Sequence, residues 1–143
     1  MTAVADFVSD RAELEKLESF TADFATGAGL SAKDLFALQI IVEELVTNVI
    51  DYGGVPSGEH AVRVELTAGE GELTIRLTDR GAAYDPLQRK DPDLTLPAED
   101  RPIGGLGVHF CKKLTDTQTY ERRDGCNVLT LRKKLSHDDR ADQ

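Results

Sequence analysis

Three short stretches of the chain combine polar side chains and glycines at spacings that could bind a ligand and act on it. The first is VEELVTNVIDYGG, residues 42–54, in which Glu44 and Asn48 lie four apart and would share one edge of a helix. A carboxylate there can accept a proton or orient a nucleophile, and an amide oxygen can ligate a hard cation such as Mg²⁺. Taken alone, this spacing is common in helices, and a solvated charge beside a tolerated polar residue explains it better.

The second stretch is TDRGAAYDP, residues 78–86, which follows an apolar alternating segment. Asp79 would lie at the end of a strand, and Gly81 would let the backbone turn tightly or approach a ligand closely. A carboxylate at the floor of a pocket can accept a hydrogen bond from an exocyclic amino group such as that of adenine. The alternative is an ordinary turn at the end of a strand, with Tyr84 packing in a loop.

The third stretch is GGLGVHF, residues 104–110, in which Gly104, Gly105 and Gly107 precede a helical pattern. Glycines at this place allow backbone N–H groups to face an anion at the positive end of a helix, although simple entry into the helix is an equal alternative. No Lys-Ser/Thr pair follows, so this is not a P-loop. A dinucleotide-binding fingerprint would need a preceding strand and a parallel βαβ unit.

Two helices are predicted in the first third of the chain. Asp10 can cap the first helix, with Glu13 as the reciprocal half of a capping box, and the glycines at 27–29 end it. Ser31 starts the second helix, which runs to about Asp51 and therefore carries the first stretch. Its predicted core stripe consists of Leu38, Ile41, Val42, Leu45 and Val49.

Two hairpins, a long loop and a third helix are predicted after the second helix. AVRVELTAG and LTIRLTD alternate around an EGE turn, and QTYERR and NVLTLRKKL flank the turn DG at 124–125. Residues 87–103 hold three of the five prolines and show no periodicity, which indicates a long loop of the kind that often forms a lid or a binding segment. GLGVHFCKKLTD favours a helix that glycines open.

This order of elements predicts an α/β (α+β) two-layer sandwich, in which one mixed, mostly antiparallel sheet carries helices on one face. The length of 143 residues suits one domain with a real core. We expect that domain to span residues 1–134 and to be followed by a polar, disordered tail over residues 135–143.

Composition and charge exclude several classes of function. The net charge of −9 argues against a nucleic-acid-binding protein, which needs a concentrated basic surface. No apolar run is long enough to span a bilayer and the N-terminus lacks a signal segment, so we expect no membrane association and a cytoplasmic location. Cys111 and Cys126 have no CxxC spacing, which favours neither a disulfide framework nor a zinc site.

The order of the three stretches is more specific than any of them alone. A helical ExxxN, a strand-ending DxGxxYDP, a proline-containing loop and a helix opened by GGLG resemble the N, G1 and G2 boxes of the GHKL superfamily of ATP-binding domains. The short lid that residues 87–103 would form, and the stand-alone length, look most like the RsbW/SpoIIAB group. These are the anti-sigma regulatory factors that act as serine-protein kinases. The resemblance covers about residues 10–134 and implies a Bergerat-type α/β sandwich.

The resemblance also implies a role for each matching residue. Asp79 would receive the amino group of adenine, Gly81 would leave room for the ring, and Tyr84 would replace the usual aromatic residue of an FDP motif. Asn48 would hold Mg²⁺ against the phosphates, and Glu44 would be the general base. The phosphates would be cradled by the start of the third helix, through Gly104, Gly105, Leu106, Gly107 and Val108. Arg101 could reach a phosphate, but a solvated loop arginine is an equal alternative.

By this resemblance, the reaction would be phosphoryl transfer from Mg-ATP to a serine of a STAS-domain anti-anti-sigma protein. Phosphorylation of that partner would release the chain to bind a sigma factor or another regulator, and a homodimer is possible. Two alternatives stay open: an ATP-binding sequestration module with little kinase turnover, and a histidine-kinase-like ATPase domain that acts on a separate phosphotransfer protein.

The late strand departs from the family pattern. Many relatives place a threonine there to support the adenine-binding aspartate, whereas this chain offers Cys126 and Asn127, with Thr130 further along. The sequence does not assign that supporting contact to a residue. His109, which follows the glycines, is interpreted as helix packing and not as a phosphoacceptor.

Overall fold

The computed structural model describes residues 1–88 and 105–136, with the backbone alone at 105–107. Five strands and three α-helices follow in the order β1 (Thr2–Val8), α1 (Glu13–Ala28), α2 (Ala32–Tyr52), β2 (His60–Gly69), β3 (Glu72–Asp79), α3 (Gly105–Leu114), β4 (Thr117–Arg123) and β5 (Cys126–Lys134), with a short 3₁₀ turn at Pro86–Gln88. The strands form one sheet in the order β1-β2-β3-β5-β4, and each of its four pairings is antiparallel. The predicted α/β two-layer sandwich is confirmed.

The core lies between one face of this sheet and the helices. Strand residues alternate between the two faces, so Val62, Val64 and Leu66 of β2 are buried while Arg63 and Glu65 between them face the open side. Helix α2 lies against this face with the predicted stripe: Leu38, Ile41, Val42 and Leu45 are buried, and Val49 is half-buried. Among the helices that the structure describes, none is long and apolar enough to cross a bilayer.

Helix α2 begins where the sequence predicts. Ser31 is its N-cap, with an extended backbone and a side-chain oxygen that accepts a hydrogen bond from the Asp34 N–H at 3.1 Å. The Asp34 carboxylate is buried, and it accepts hydrogen bonds from the Ser136 N–H at 2.7 Å and the Ser136 hydroxyl at 2.9 Å. The first two residues of the predicted tail, 135 and 136, therefore contact the domain, and residues 137–143 lie outside the described residues.

Both hairpins turn as the sequence predicts. Asp124 and Gly125 have φ angles of 53° and 77°, and Glu70 and Gly71 have φ angles of 55° and 77°. Positive φ at both central residues is the signature of the two-residue turn whose twist matches that of antiparallel strands.

The N-terminus differs from the prediction in two ways. The sequence predicts no strand there, yet β1 pairs with β2 along the edge of the sheet, and its Phe7 is fully buried. Its other inward positions, Ala3 and Ala5, are small, so the alternation is weak as a sequence signal. The Asp10 capping box is wrong: α1 begins at Glu13, and the Asp10 carboxylate instead accepts from the Ala12 N–H at 2.9 Å, in a turn that precedes the helix.

Candidate ligand-binding cleft

A cleft of about 1050 Å³ opens between the second half of α2 and the ends of β3, β4 and β5. This volume lies at the upper limit of the range that pockets for small-molecule ligands have in proteins. The cleft is lined by Leu45, Asn48, Val49, Tyr52, Gly53, Leu77, Asp79, Ala82, Ala83, Tyr84, Asp85, Pro86, Tyr120, Asn127 and Leu129. Asn48, Asp79 and Tyr84, which come from two of the three sequence stretches, thus meet at one site.

The wall formed by α2 is mostly apolar. Leu45, Val49 and Tyr52 lie at helical spacing along it, and Asn48 brings an amide into this surface. Glu44, one turn before Asn48, is half-buried and is not among the described residues that line the cleft. The structure therefore places the predicted amide in the cleft and the predicted general base beside it.

The carboxylate of Asp79 lies at the floor of the cleft, where β3 ends. Its Oδ1 accepts hydrogen bonds from the Gly81 N–H at 2.9 Å and from Asn127 Nδ2 at 3.0 Å. Within the described part of the chain, no donor reaches Oδ2 of this carboxylate. The two bonds fix the orientation of the Asp79 carboxylate at the floor of the cleft.

The side chain that holds Asp79 is Asn127, the residue the sequence leaves unassigned. Asp79 and Asn127 are direct partners in the β3–β5 ladder, and Asn127 is buried. Besides Asp79, its Nδ2 donates to the Ala82 carbonyl at 2.9 Å, while its Oδ1 accepts from the Tyr84 N–H at 3.2 Å and from the Tyr120 hydroxyl. One amide thus joins strands β3, β4 and β5 to the loop over residues 82–84.

Sequence reasoning named Asn127 beside Cys126 at the place of the supporting residue without assigning the contact, and it did not find Tyr120. An asparagine inside an alternating strand is unusual, because asparagine is depleted in strands. That oddity and the family pattern of the late strand are the sequence signals for Asn127, and the pairing register that sets it against Asp79 is visible only in the structure. Tyr120, on β4, reads in the sequence as an ordinary strand aromatic.

Gly81 lies where two backbones approach each other. A Cβ atom at this position would lie 2.7 Å from the Gly53 carbonyl oxygen and 3.0 Å from Asp79 Oδ1. The Gly81 carbonyl also accepts a hydrogen bond from Arg122 Nη1 at 2.8 Å. Glycine at this position therefore lets the end of α2 and the end of β3 meet at the edge of the cleft.

The third sequence stretch is described only in part. Gly105, Leu106, Gly107 and Val108 form the first turn of α3 as described, and the Val108 side chain is buried. Because the first N–H groups of a helix have no partner within it, this turn has the backbone donors that an anion site needs. Arg101 and Gly104 lie outside the described residues.

Helix α3 packs against α2 through Cys111. The thiol of Cys111 is buried and donates to the Ile41 carbonyl across 3.8 Å. Burial, and secondarily the negative charge of Glu44, raise the pKa of this thiol to about 12.

Comparisons with known proteins identify a matching family model and several related proteins. A family model described as a histidine kinase-like ATPase domain matches residues 7–133. The serine/threonine-protein kinase BtrW of Bordetella bronchiseptica is 33% identical over 101 residues, which span 71% of this chain and 71% of that protein. The serine-protein kinase RsbW of Listeria monocytogenes is 29% identical over 109 residues, which span 73% and 69%.

Among solved structures, the RsbU and RsbW domains of a Mycobacterium tuberculosis protein match with a TM-score of 0.70 at 14% sequence identity. The match covers 96% of this chain and 33% of that one. At this identity the likeness shows the fold alone, and it confirms the Bergerat-type sandwich.

Proposed function

Because the chain belongs to the histidine kinase-like ATPase domain family, we propose that it is a serine/threonine-protein kinase. It transfers the terminal phosphoryl group of Mg-ATP to a serine of a STAS-domain anti-anti-sigma protein. The observation that carries the proposal is the meeting of Asn48 and Asp79 in one cleft, since these residues would bind the opposite ends of a nucleotide.

The adenine end of the nucleotide binds at the floor of the cleft. Oδ2 of Asp79 accepts a hydrogen bond from the exocyclic amino group, and the held position of this carboxylate supports that role. Leu45, Val49 and Leu77 offer apolar surface to the ring, and Tyr84, half-exposed at the rim, covers it from the loop side. Gly81 keeps the space beside Asp79 free of a side chain.

The phosphate end binds between Asn48 and the first turn of α3. An amide oxygen in the cleft wall suits Mg²⁺, which takes one or two protein oxygens together with phosphate oxygens. When bound, the ion supplies charge neutralisation at the transferred phosphoryl group. The backbone donors of Gly105, Leu106, Gly107 and Val108 orient the phosphates, and Arg101 and Gly104 are assigned to the same task from the sequence motif.

Glu44 orients or deprotonates the incoming serine hydroxyl. Its place one turn before Asn48 puts a carboxylate on the same stretch of α2 as the magnesium-binding amide. General-base assistance of this kind contributes about two to four decades of rate, so removal of the carboxylate should affect transfer far more than nucleotide affinity.

We place the reaction in a partner switch. Phosphorylation of the STAS-domain protein would release it, so that the kinase is free to bind a sigma factor or another regulator. The names of BtrW and RsbW support a serine substrate for a chain of this kind. The cytoplasmic location and the homodimer stay predictions from the sequence.

A STAS-domain partner is first recovered by its binding to the immobilised chain. The test of the proposal is then phosphoryl transfer to this partner from γ-labelled ATP in the presence of Mg²⁺. Labelled phosphoserine on the partner is expected, and Glu44→Gln should reduce its formation by about a hundredfold or more while nucleotide affinity is kept. The matched control is Glu43→Gln, because Glu43 is the exposed neighbour of Glu44 on the same helix.

Each other outcome has a distinct meaning. Nucleotide binding without labelled serine would overturn the kinase in favour of a sequestration module. Acid-labile label on a histidine of the partner would favour an ATPase domain of the histidine-kinase kind. Absence of any adenine-nucleotide binding would overturn all three.

A further inference from the structure

The orientation of the Asn127 amide is fixed by neighbours whose chemistry is unambiguous. One end of the amide faces the Asp79 carboxylate and the Ala82 carbonyl, which can only accept. The other end faces the Tyr84 backbone N–H, which can only donate. The NH₂ group must therefore point to Asp79 and the amide oxygen to Tyr84, because the opposite orientation would oppose like groups on both sides.

This orientation determines the direction of the hydrogen bond from Tyr120. Its hydroxyl contacts Asn127 Oδ1, which has no proton, so the tyrosine must be the donor. The single proton of the Tyr120 hydroxyl is thereby used inside the protein. Tyr120 lines the cleft, and its hydroxyl oxygen can therefore act toward a ligand only as a hydrogen-bond acceptor.

Asn127 itself has nothing left for a ligand. Its two N–H bonds go to Asp79 and Ala82, and its oxygen accepts from Tyr84 and Tyr120. It is a positioning residue: it holds the Asp79 carboxylate in place and fixes the direction of the Tyr120 hydroxyl.

We propose that Tyr120 and Asn127, together with Asp79, set the base selectivity of the cleft by giving its floor hydrogen-bond acceptors only. The inference rests on the proposed nucleotide site and names its specificity-determining residues. A purine with a 6-amino group brings two N–H donors to Asp79 Oδ2 and Tyr120 Oη. A purine with a 6-oxo group, such as guanine or hypoxanthine, has an acceptor oxygen at the same place. That oxygen would face the lone pairs of Asp79 Oδ2 and Tyr120 Oη, which is repulsive.

A floor lined by water molecules or free hydroxyl groups could either donate or accept a hydrogen bond. The groups on this floor are held so that they accept. A free hydroxyl or a water molecule can rotate to donate to a 6-oxo group. The Tyr120 hydroxyl is held as a donor to the buried Asn127 amide. Rotation of the hydroxyl toward the ligand would cost this hydrogen bond and leave the amide oxygen with the Tyr84 N–H alone among the donors that the structure describes. Selectivity should therefore depend on Tyr120, which no sequence motif marks.

The test is the affinity of the full chain for three diphosphates, measured by titration calorimetry: those of adenosine, inosine and unsubstituted purine riboside. The variants are Tyr120→Phe, which removes only the hydroxyl, and Asn127→Val, which removes the hydrogen-bonded link between Asp79 and Tyr120. The matched control is Thr119→Val, which removes a hydroxyl from the adjacent, exposed position of β4 on the other face of the sheet. Thermal unfolding of each variant checks that it is folded.

The wild type and Thr119→Val should prefer the adenosine compound over the inosine compound by at least about a hundredfold. Tyr120→Phe should narrow this ratio by roughly five- to tenfold, and Asn127→Val should narrow it by a similar factor. Purine riboside diphosphate, which has no 6-substituent, should bind the wild type and Tyr120→Phe within about twofold of each other.

An unchanged ratio in a folded Tyr120→Phe variant that still binds the adenosine compound would overturn the inference and leave the proposed function standing. If Tyr120→Phe does not fold, an unchanged ratio in Asn127→Val overturns it in the same way. If the wild type binds none of the three compounds, the proposed function fails first, and the inference fails with it.

Discussion

Asp79 and Asn127 face each other across the β3–β5 ladder, and a hydrogen bond of 3.0 Å joins the carboxylate of one to the amide of the other. The bond ties the Asp79 carboxylate, on the floor of the cleft, to a buried residue of the sheet. The position of Asp79 is thus a property of the sheet and does not depend on a flexible loop.

We expect Asn127→Ala to destabilise the protein, because the change leaves a buried cluster of polar groups without its common partner. A hydrogen bond to residue 127 would be lost by four groups: the Asp79 carboxylate, the Ala82 carbonyl, the Tyr84 N–H and the Tyr120 hydroxyl. The free energy of unfolding should fall by about 2–3 kcal/mol, measured by urea unfolding. Thr130→Ala, at a half-buried position of the same strand, should change it by about 0.5 kcal/mol or less. Equal effects of the two changes would contradict a central role of Asn127.

This pair of residues also illustrates how far sequence reasoning reaches. Asp79 could be predicted, because an aspartate that ends an apolar strand and precedes a glycine is a local pattern. The choice between Cys126 and Asn127 as its support could not be made, because it depends on the register of two strands that are 48 positions apart in the chain at these residues. Local signals identify the ligand-facing group, and only the sheet reveals the group that supports it.

In the fold, too, the elements that local sequence signals determine could be predicted, and those that depend on distant pairing could not. Helix α2 and both hairpins were predictable, because their caps, periodicity and turn residues all lie within the segment itself. Strand β1 was not, since two of its three inward positions are alanines and its stability comes from pairing with β2, about 60 residues away in the register. Glu44 and Asn48 share the predicted helix edge, yet of these two only Asn48 lines the described cleft.

Gly81→Ala should impair both stability and the cleft, because its new methyl group would meet backbone atoms that cannot move independently. The methyl group would lie 2.7 Å from the Gly53 carbonyl oxygen and 3.2 Å from the Gly53 Cα. A loss of about 1–3 kcal/mol in the free energy of unfolding is expected, together with weaker binding of adenosine diphosphate.

Gly69→Ala is the matched control for this change. No atom lies within 4 Å of a Cβ built on Gly69, and the residue does not have a positive φ. It should therefore be neutral or slightly stabilising. A neutral Gly81→Ala variant would show that the ends of α2 and β3 can separate without loss, which the tight contact does not predict.

Asn48→Ala should remove the magnesium-dependent part of nucleotide affinity, because Asn48 is the amide that the proposal gives to the cation. The affinity for adenosine diphosphate in the presence of Mg²⁺ should fall by roughly tenfold or more, and the affinity in the presence of a chelator should change little. Asn48→Asp keeps an oxygen ligand at the same place and should retain a magnesium effect. Titration calorimetry with and without the ion separates these outcomes, and an equal loss in both conditions would mean that Asn48 contacts the nucleotide itself.

The thiol of Cys111 should make the stability of the protein fall at alkaline pH. Burial raises the pKa of this thiol from 9.0 to about 12, with a smaller contribution from the charge of Glu44. A folded chain with the higher pKa keeps its proton where an unfolded chain releases it. The stabilisation is therefore fully present below about pH 9 and is lost progressively as the pH rises from there toward 12.

Urea unfolding of the wild type and of Cys111→Ala at several pH values between 7 and 11 measures this contribution. The wild type should be the more stable of the two at pH 7, because the substitution leaves a small cavity, and the difference should shrink as the pH rises. Cys126→Ala keeps the buried thiol and should reproduce the wild-type trend. Because the thiolate is the reactive form, Cys111 in the folded chain should also resist alkylation at pH 8 while unfolded protein reacts at both cysteines. A difference in stability that stays constant from pH 7 to 11, or rapid alkylation of Cys111 in the folded chain, would contradict the burial that places this thiol between α2 and α3.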